Sequence, residues 1–153
     1  MRSTRPAEAV AELGSLAVIT RMEHVLNKVV NEAGRLLRVD ETRFAGRDGF
    51  LTRVALTFER LTAHISAAAD DDTVVVSLDP PPNDADCVTA EAAQQSPLGR
   101  VYGFTCQWAW LLTNQQGYAD GVRFEFCADA QRRVVEMIVA ASQIHYYEFT
   151  HDG

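Results

Sequence analysis

Phe50-Leu51-Thr52-Arg53-Val54-Ala55-Leu56-Thr57-Phe58, then Glu59-Arg60, then Leu61-Thr62-Ala63-His64-Ile65-Ser66-Ala67, is the stretch on which the fold turns. Phe50, Thr52, Val54, Leu56 and Phe58 alternate with Leu51, Arg53, Ala55, Thr57 and Glu59. Side chains two apart share one face of a strand, so this spacing predicts a half-buried β-strand. Glu59-Arg60 fits a two-residue turn, although it lacks the glycine or asparagine such turns favour. Beyond it Leu61, Ala63, Ile65 and Ala67 make the inward face of a second strand, with Thr62, His64 and Ser66 outside. Two strands joined by so short a turn run antiparallel.

Downstream the same grammar continues. Asp70-Asp71-Asp72 reads as a polar turn, and the β-branched run Thr73 to Leu78 as a third strand. Asp79-Pro80-Pro81-Pro82 ends it, because proline removes a ladder donor. Residues 79–99 are expected to form a long loop, with a short helical turn at Thr89–Gln95, joining strands of one shared sheet. Tyr102, Phe104, Cys106, Trp108, Trp110 and Leu112 then share one face of a long strand, and Gly117 and Gly121 bracket a tight connection. Val122, Phe124 and Phe126 face inward on the next strand, and Ala128 to Gln131 is a turn. Val134 to Ala141 is almost wholly apolar, as a central strand covered on both faces is, and Gln143 to Thr150 is the last strand.

Upstream, Leu16, Ile19, Met22, Leu26, Val29, Ala33 and Leu37 recur at helical spacing, which predicts a helix from about Ser15 to Ala33. A competing reading pairs Val25–Val30 with Arg35–Val39 as a hairpin. Residues 1–6 read as a mobile tail and 40–49 as loop. The expected fold class is α+β: a mainly antiparallel β-sheet of about seven strands with one N-terminal helix, in a single domain over residues 1–153.

The chain has 153 residues, of which 47% are hydrophobic and 23% charged, enough apolar surface for a core without disulfide or metal staples. The net charge of −7 argues against a phosphate-binding surface, so no nucleic-acid partner is expected. It favours solubility and suits a basic protein partner. Cys87, Cys106 and Cys127 are an odd number without CxxC spacing, which points to free thiols and a cytoplasmic location. Met1, Arg2 and Arg5 resemble a signal n-region, but Glu8 and Glu12 break up the apolar run that a leader would need, so neither a leader nor a membrane span is read.

No pattern of residues announces chemistry. Three consecutive aspartates lack the spacing of a calcium loop. His145 and His151 share a face of the last strand, with Tyr147 and Phe149 between them, but lie about 20 Å apart at ~3.3 Å per residue. His24 and His64 have no local partners, so no metal site and no cofactor are expected. Cys106 sits among aromatic residues and reads as a core thiol rather than a nucleophile.

The most distinctive element is Trp108-Ala109-Trp110 followed by Asn114, Gly117, Tyr118, Asp120 and Gly121. Buried, the tryptophan stripe anchors the core; exposed, it is a binding patch. Core is the favoured reading, and Asn114 to Gly121 is favoured as a turn built on Asx chemistry and positive φ. The candidate binding residues are Trp108, Trp110, Asn114, Tyr118, Asp120 and His145, with no catalytic residue assigned.

The run W-A-W-L-L-T-N-Q-Q-G-Y-A-D-G-V-R-F-E-F, residues 108–126, resembles a motif of a family of small uncharacterised bacterial domains, as does Asp71-Asp72-Thr73-Val74. The resemblance spans about residues 50–150 and implies no activity. A class likeness to bacterial immunity proteins implies a toxin-binding partner. The leading expectation is therefore a non-enzymatic bacterial binding protein, an immunity- or antitoxin-like inhibitor of a basic partner. The alternatives are a small-ligand-binding domain or hydrolase with its site near residues 114–121, and a homo-oligomeric module that dimerises through an exposed edge or the tryptophan stripe.

Overall fold

The structure is a computed structural model that describes residues 6–46, 49–68, 71–82 and 84–150, with side chains from Leu16 to Phe149. Of the expected tail only Pro6 is described. It opens helix α1, Pro6–Glu32, where its fixed φ and missing N–H suit a first turn. The helix starts well before Ser15. Met22, Leu26, Val29 and Ala33 are buried, as their spacing predicts, whereas Leu16 is exposed. The hairpin alternative for Val25–Val30 is thereby excluded, but its second arm is a strand.

That strand is β1, Leu36–Phe44, in a stretch expected to be partly loop. It is followed by β2, Leu51–Phe58, and β3, Thr62–Ala68, around the Glu59-Arg60 turn. Then come β4, Thr73–Ser77, and β5, Cys87–Glu91. A 3-10 turn at Gly99–Val101 leads into β6, Thr105–Thr113; β7, Ala119–Ala128; β8, Gln131–Ala140; and β9, Gln143–Thr150. The architecture is α+β with antiparallel strands, and the nine strands among the described residues exceed the expected seven by β1 and β5. The helical turn expected at 89–95 is replaced by β5, an edge strand whose backbone pairs with β1 from Asp40↔Glu91 to Phe44↔Cys87.

The strands also divide differently. They form one sheet in the order β4-β3-β2-β1-β5 and another in the order β6-β7-β8-β9, so the strands on either side of residues 79–99 do not share a sheet. Val54, Leu56, Ala63, Ile65, Val74 and Val76 of the first sheet and Val122, Phe124, Phe126, Val135, Met137 and Ile144 of the second are buried in one core with α1. β4 lies against β7 and β8, β9 against β2 and β3, and α1 against β6 and β4. Two apolar sheet faces bury each other, and the apolar stripe of α1 packs into the same core.

One corner ties the layers together. Gly34 follows α1 at φ +82°, the left-handed conformation that ends helices. Arg35 N–H then donates to Glu59 Oε1 at 2.7 Å, and Arg60 N–H donates to the carbonyl of Ala33 at 3.0 Å. Leu36 N–H donates to the Phe104 carbonyl at 2.8 Å, and Gly103 N–H to the Leu36 carbonyl at 2.7 Å. Helix end, β1, the β2–β3 turn and the entry to β6 therefore meet within four residues. A second tie crosses the core, where Tyr146 Oη donates to Glu41 Oε2 at 2.6 Å. Arg43 Nη1 also reaches buried Glu41, at 3.0 Å. Burial, reinforced by the bond to Glu41, holds the Tyr146 phenol above its ordinary pKa.

Each tie has a measurable effect on stability. Gly34→Ala places a Cβ 2.9 Å from Glu59 Oε1 in a backbone conformation that costs L residues about 1–2 kcal/mol, so the denaturant midpoint should fall by at least that equivalent. Tyr146→Phe strips a donor from a buried carboxylate and should destabilise by roughly 1–3 kcal/mol in the same urea titration. An unchanged midpoint for either variant would show that its tie contributes nothing.

Candidate functional site

A straight β6 would carry Phe104, Cys106, Trp108 and Trp110 on one face. The structure breaks that face with a β-bulge. Cys106 pairs with Phe126, but Trp108 pairs with Glu125, leaving Gln107 as the extra residue. One added residue reverses every side chain beyond it. Phe104 and Cys106 therefore stay in the core while Trp108 and Trp110 turn outward, 51% and 42% exposed. This corrects the expectation that the tryptophan stripe is core. The two indoles stack with centroids 6.3 Å apart and planes 18° from parallel.

The outward face they join runs across the second sheet. The strand register aligns Trp110 with Arg123, Glu136 and Tyr147, and Trp108 with Glu125, Val134 and Phe149. Tyr147 is 51% and Phe149 47% exposed, so aromatic rings flank both edges. Between them Glu136 and Glu125 are buried, paired with Arg123 and Arg132 respectively. The Arg123 guanidinium also lies over the Phe149 ring, 5.9 Å from its centroid. The centre of the face is thus charge-balanced and its flanks are aromatic. Tyr147 and Phe149 were legible as a same-parity aromatic pair beside His145, but parity alone does not say which face is wet.

The other candidates occupy separate positions. Asn114 Oδ1 accepts from Gln116 N–H at 2.9 Å and from Tyr118 N–H at 3.2 Å, so it organises its own turn. Gly117 sits in that turn at φ +85°. Tyr118 is exposed. Asp120 is the extra residue of a second bulge, between the Thr113↔Ala119 and Leu112↔Gly121 pairs. His145 Nε2 lies 3.2 Å from the Ala140 carbonyl. It faces Ile138, which faces Gly121, placing it two strand spacings (about 10 Å) from β7. Trp108, Trp110 and His145 share the outward face; Asn114, Tyr118 and Asp120 belong to the turn and bulge at its end.

A family of unknown function, DUF6334, is matched over residues 22–152. The chain belongs to this family. Neither a curated protein nor a solved structure matches it. The DUF6334 match takes in the second half of α1 and all of β1, further upstream than the resemblance over 50–150 implied. It covers both sheets and the aromatic face.

Among the described residues no three His, Cys, Asp or Glu side chains gather to hold an ion. Asp70 and His151 lie outside the described residues. Among the described residues no helix is long and apolar enough to cross a membrane. All three cysteines are free, and Cys106 is buried with its thiol pushed up to about 12, chiefly by desolvation. In native protein treated with iodoacetamide at about pH 8, Cys106 should be the last of the three to be alkylated, since the thiolate is the nucleophile. Peptide mass spectrometry reads this directly, and early labelling of Cys106 would contradict its placement.

Proposed function

We propose that this DUF6334 protein acts by binding another protein, without catalysis, and that the outward face of the second sheet carries the contact. The observation behind this reading is the stacked, solvent-facing pair Trp108 and Trp110, opposite Tyr147 and Phe149. Exposed aromatic clusters of this kind supply most of the energy at protein interfaces. The net charge of −7 supports a basic partner, drawn in by the long-range field while the balanced face makes the close contacts. An immunity- or antitoxin-like inhibitor of bacterial, cytoplasmic type fits that division of labour. The hydrolase or small-ligand alternative at residues 114–121 draws less support, because Asn114 serves its own turn and His145 stands on another strand.

A second copy of the chain is the other reading. The Arg123–Glu136 and Arg132–Glu125 pairs leave this face without net charge, so two acidic chains meet here with the least repulsion.

The test uses Trp108→Ser with Trp110→Ser. A basic partner captured from the native host, purified and titrated by calorimetry should bind the double variant more weakly by about 2 kcal/mol or more. Its affinity for the wild type should fall with added salt. Equal affinity for variant and wild type would refute the proposed surface. Light scattering across a dilution series decides the second reading: a two-chain mass lost in the double variant supports it, and a wild-type monomer removes it.

A further inference from the structure

The outward face of the first sheet carries a different kind of site, independent of the aromatic face. The segment Pro80–Pro82 folds over it, held where the Arg53 guanidinium donates to the Pro82 carbonyl. Beneath lies a groove of about 410 Å³ walled by Asp40, Thr42, Arg53, His64, Asp84 and Thr89. It adjoins a cleft of about 520 Å³ that includes Phe44, Phe50 and Ala67. Arg53, Asp84 and Cys87 line both spaces, so the polar and the apolar halves meet at those residues. Volumes of this size suit small molecules.

The charges at the junction are unsatisfied in a telling way. Arg38, Arg43, Arg123, Arg132 and Arg133 each have a carboxylate within ion-pair distance. Among the described residues Arg53 has none, and neither have Arg21 and Arg60, but those two are exposed whereas Arg53 is half-buried and lines the groove. Its one hydrogen bond to Pro82 leaves four guanidinium donors for a ligand. Among the described residues the Asp84 carboxylate accepts only the N–H of Asp86, at 3.1 Å, and has no cation in ion-pair contact. Asp40, the other carboxylate of the groove, is already engaged by Arg38 at 2.9 Å. A guanidinium and a carboxylate, neither with an ionic partner among the described residues, therefore border the same junction without pairing with each other, next to a cleft containing two phenylalanines.

The geometry points to a zwitterionic ligand, an α-amino acid with an apolar side chain, bound with its carboxylate on Arg53, its ammonium on Asp84 and its side chain toward Phe44 and Phe50. An anion alone would meet Asp84 uncompensated, and a cation alone would meet Arg53. The hydroxyls of Thr42 and Thr89 are hydrogen-bonded to each other at 2.8 Å, which leaves one further donor in the polar half.

His64 supplies a reporter. Its pKa is lowered by burial and by Arg53, with Asp79 opposing. A carboxylate seated on Arg53 offsets that cation, so the imidazole pKa should rise on binding. The remaining charged groups of the groove, Asp40 and Asp84, are unchanged in number between the two states.

The experiment titrates the isotope-labelled full chain with L-phenylalanine and follows amide and imidazole signals by NMR. Saturable shifts at Thr42, Phe44, Arg53 and His64, with a raised His64 pKa, are expected. 3-Phenylpropionate, which lacks the ammonium, and phenethylamine, which lacks the carboxylate, should each bind about tenfold or more weakly, as should the Arg53→Gln variant. Asp84→Asn, an exposed substitution that leaves Arg53 and its bond to Pro82 in place, should weaken L-phenylalanine while sparing 3-phenylpropionate; it keeps the test open if Arg53→Gln fails to fold. Absence of saturable shifts overturns the inference. So does equal affinity for 3-phenylpropionate and L-phenylalanine, or unchanged affinity in a folded Arg53→Gln protein.

Discussion

The four-residue corner from Ala33 to Leu36 is the constraint on which the rest of the structure depends. Both sheets carry an apolar face that must be covered, and the chain reaches the two sheets through this corner. Gly34 lets the helix stop and the backbone reverse, which places buried Leu36 between Phe58 of β2 and the Phe104–Gly103 segment that opens β6. The same turn sets the direction in which α1 leaves, so that Met22, Leu26 and Val29 close the core beside β4 and β6. Glu59 completes the corner: its carboxylate accepts from both the backbone and the guanidinium of Arg35, and those bonds hold its pKa below the ordinary value.

With the inner faces committed to each other, the outer faces are free to differ. The first sheet presents threonines, aspartates and Arg53 under a proline segment, and the second presents aromatic rings around two Arg–Glu pairs. Neither outer face adds much to folding. The two pairs set buried carboxylates against half-exposed guanidinium groups, where desolvation and solvent screening offset much of the attraction, and exposed tryptophans leave apolar area in water.

Much of this was legible from residue order. The alternation at 54–58 and 61–67, the strand expected at 134–141 and the turn at 128–131 each appear where the residues place them, and the helical spacing of Met22, Leu26 and Val29 survives intact, but a bulge at Thr52 breaks the alternation at 50–53, so that Leu51 rather than Phe50 is buried. β1 was hidden because a bulge at Leu37 interrupts its alternation and because Glu41, a carboxylate, points inward, stabilised by Tyr146 from a strand more than a hundred residues away. β5 was hidden because an edge strand needs only backbone pairing. Its side chains are mostly exposed, so no apolar pattern marks it.

The sequence by itself determined that the chain forms antiparallel hairpins after an amphipathic helix, since side-chain periodicity is a local property that short-range geometry converts into strands and turns. Tertiary structure alone decided which strands share a sheet and which residues reach solvent. Partition into two sheets depends on pairings between distant segments, such as β1 with β5. The fate of Trp108 and Trp110 depends on a single unpaired residue, Gln107, whose insertion is defined only against the register of β7. A bulge has no length of its own in the sequence, yet it moved two indoles from the expected core to the surface.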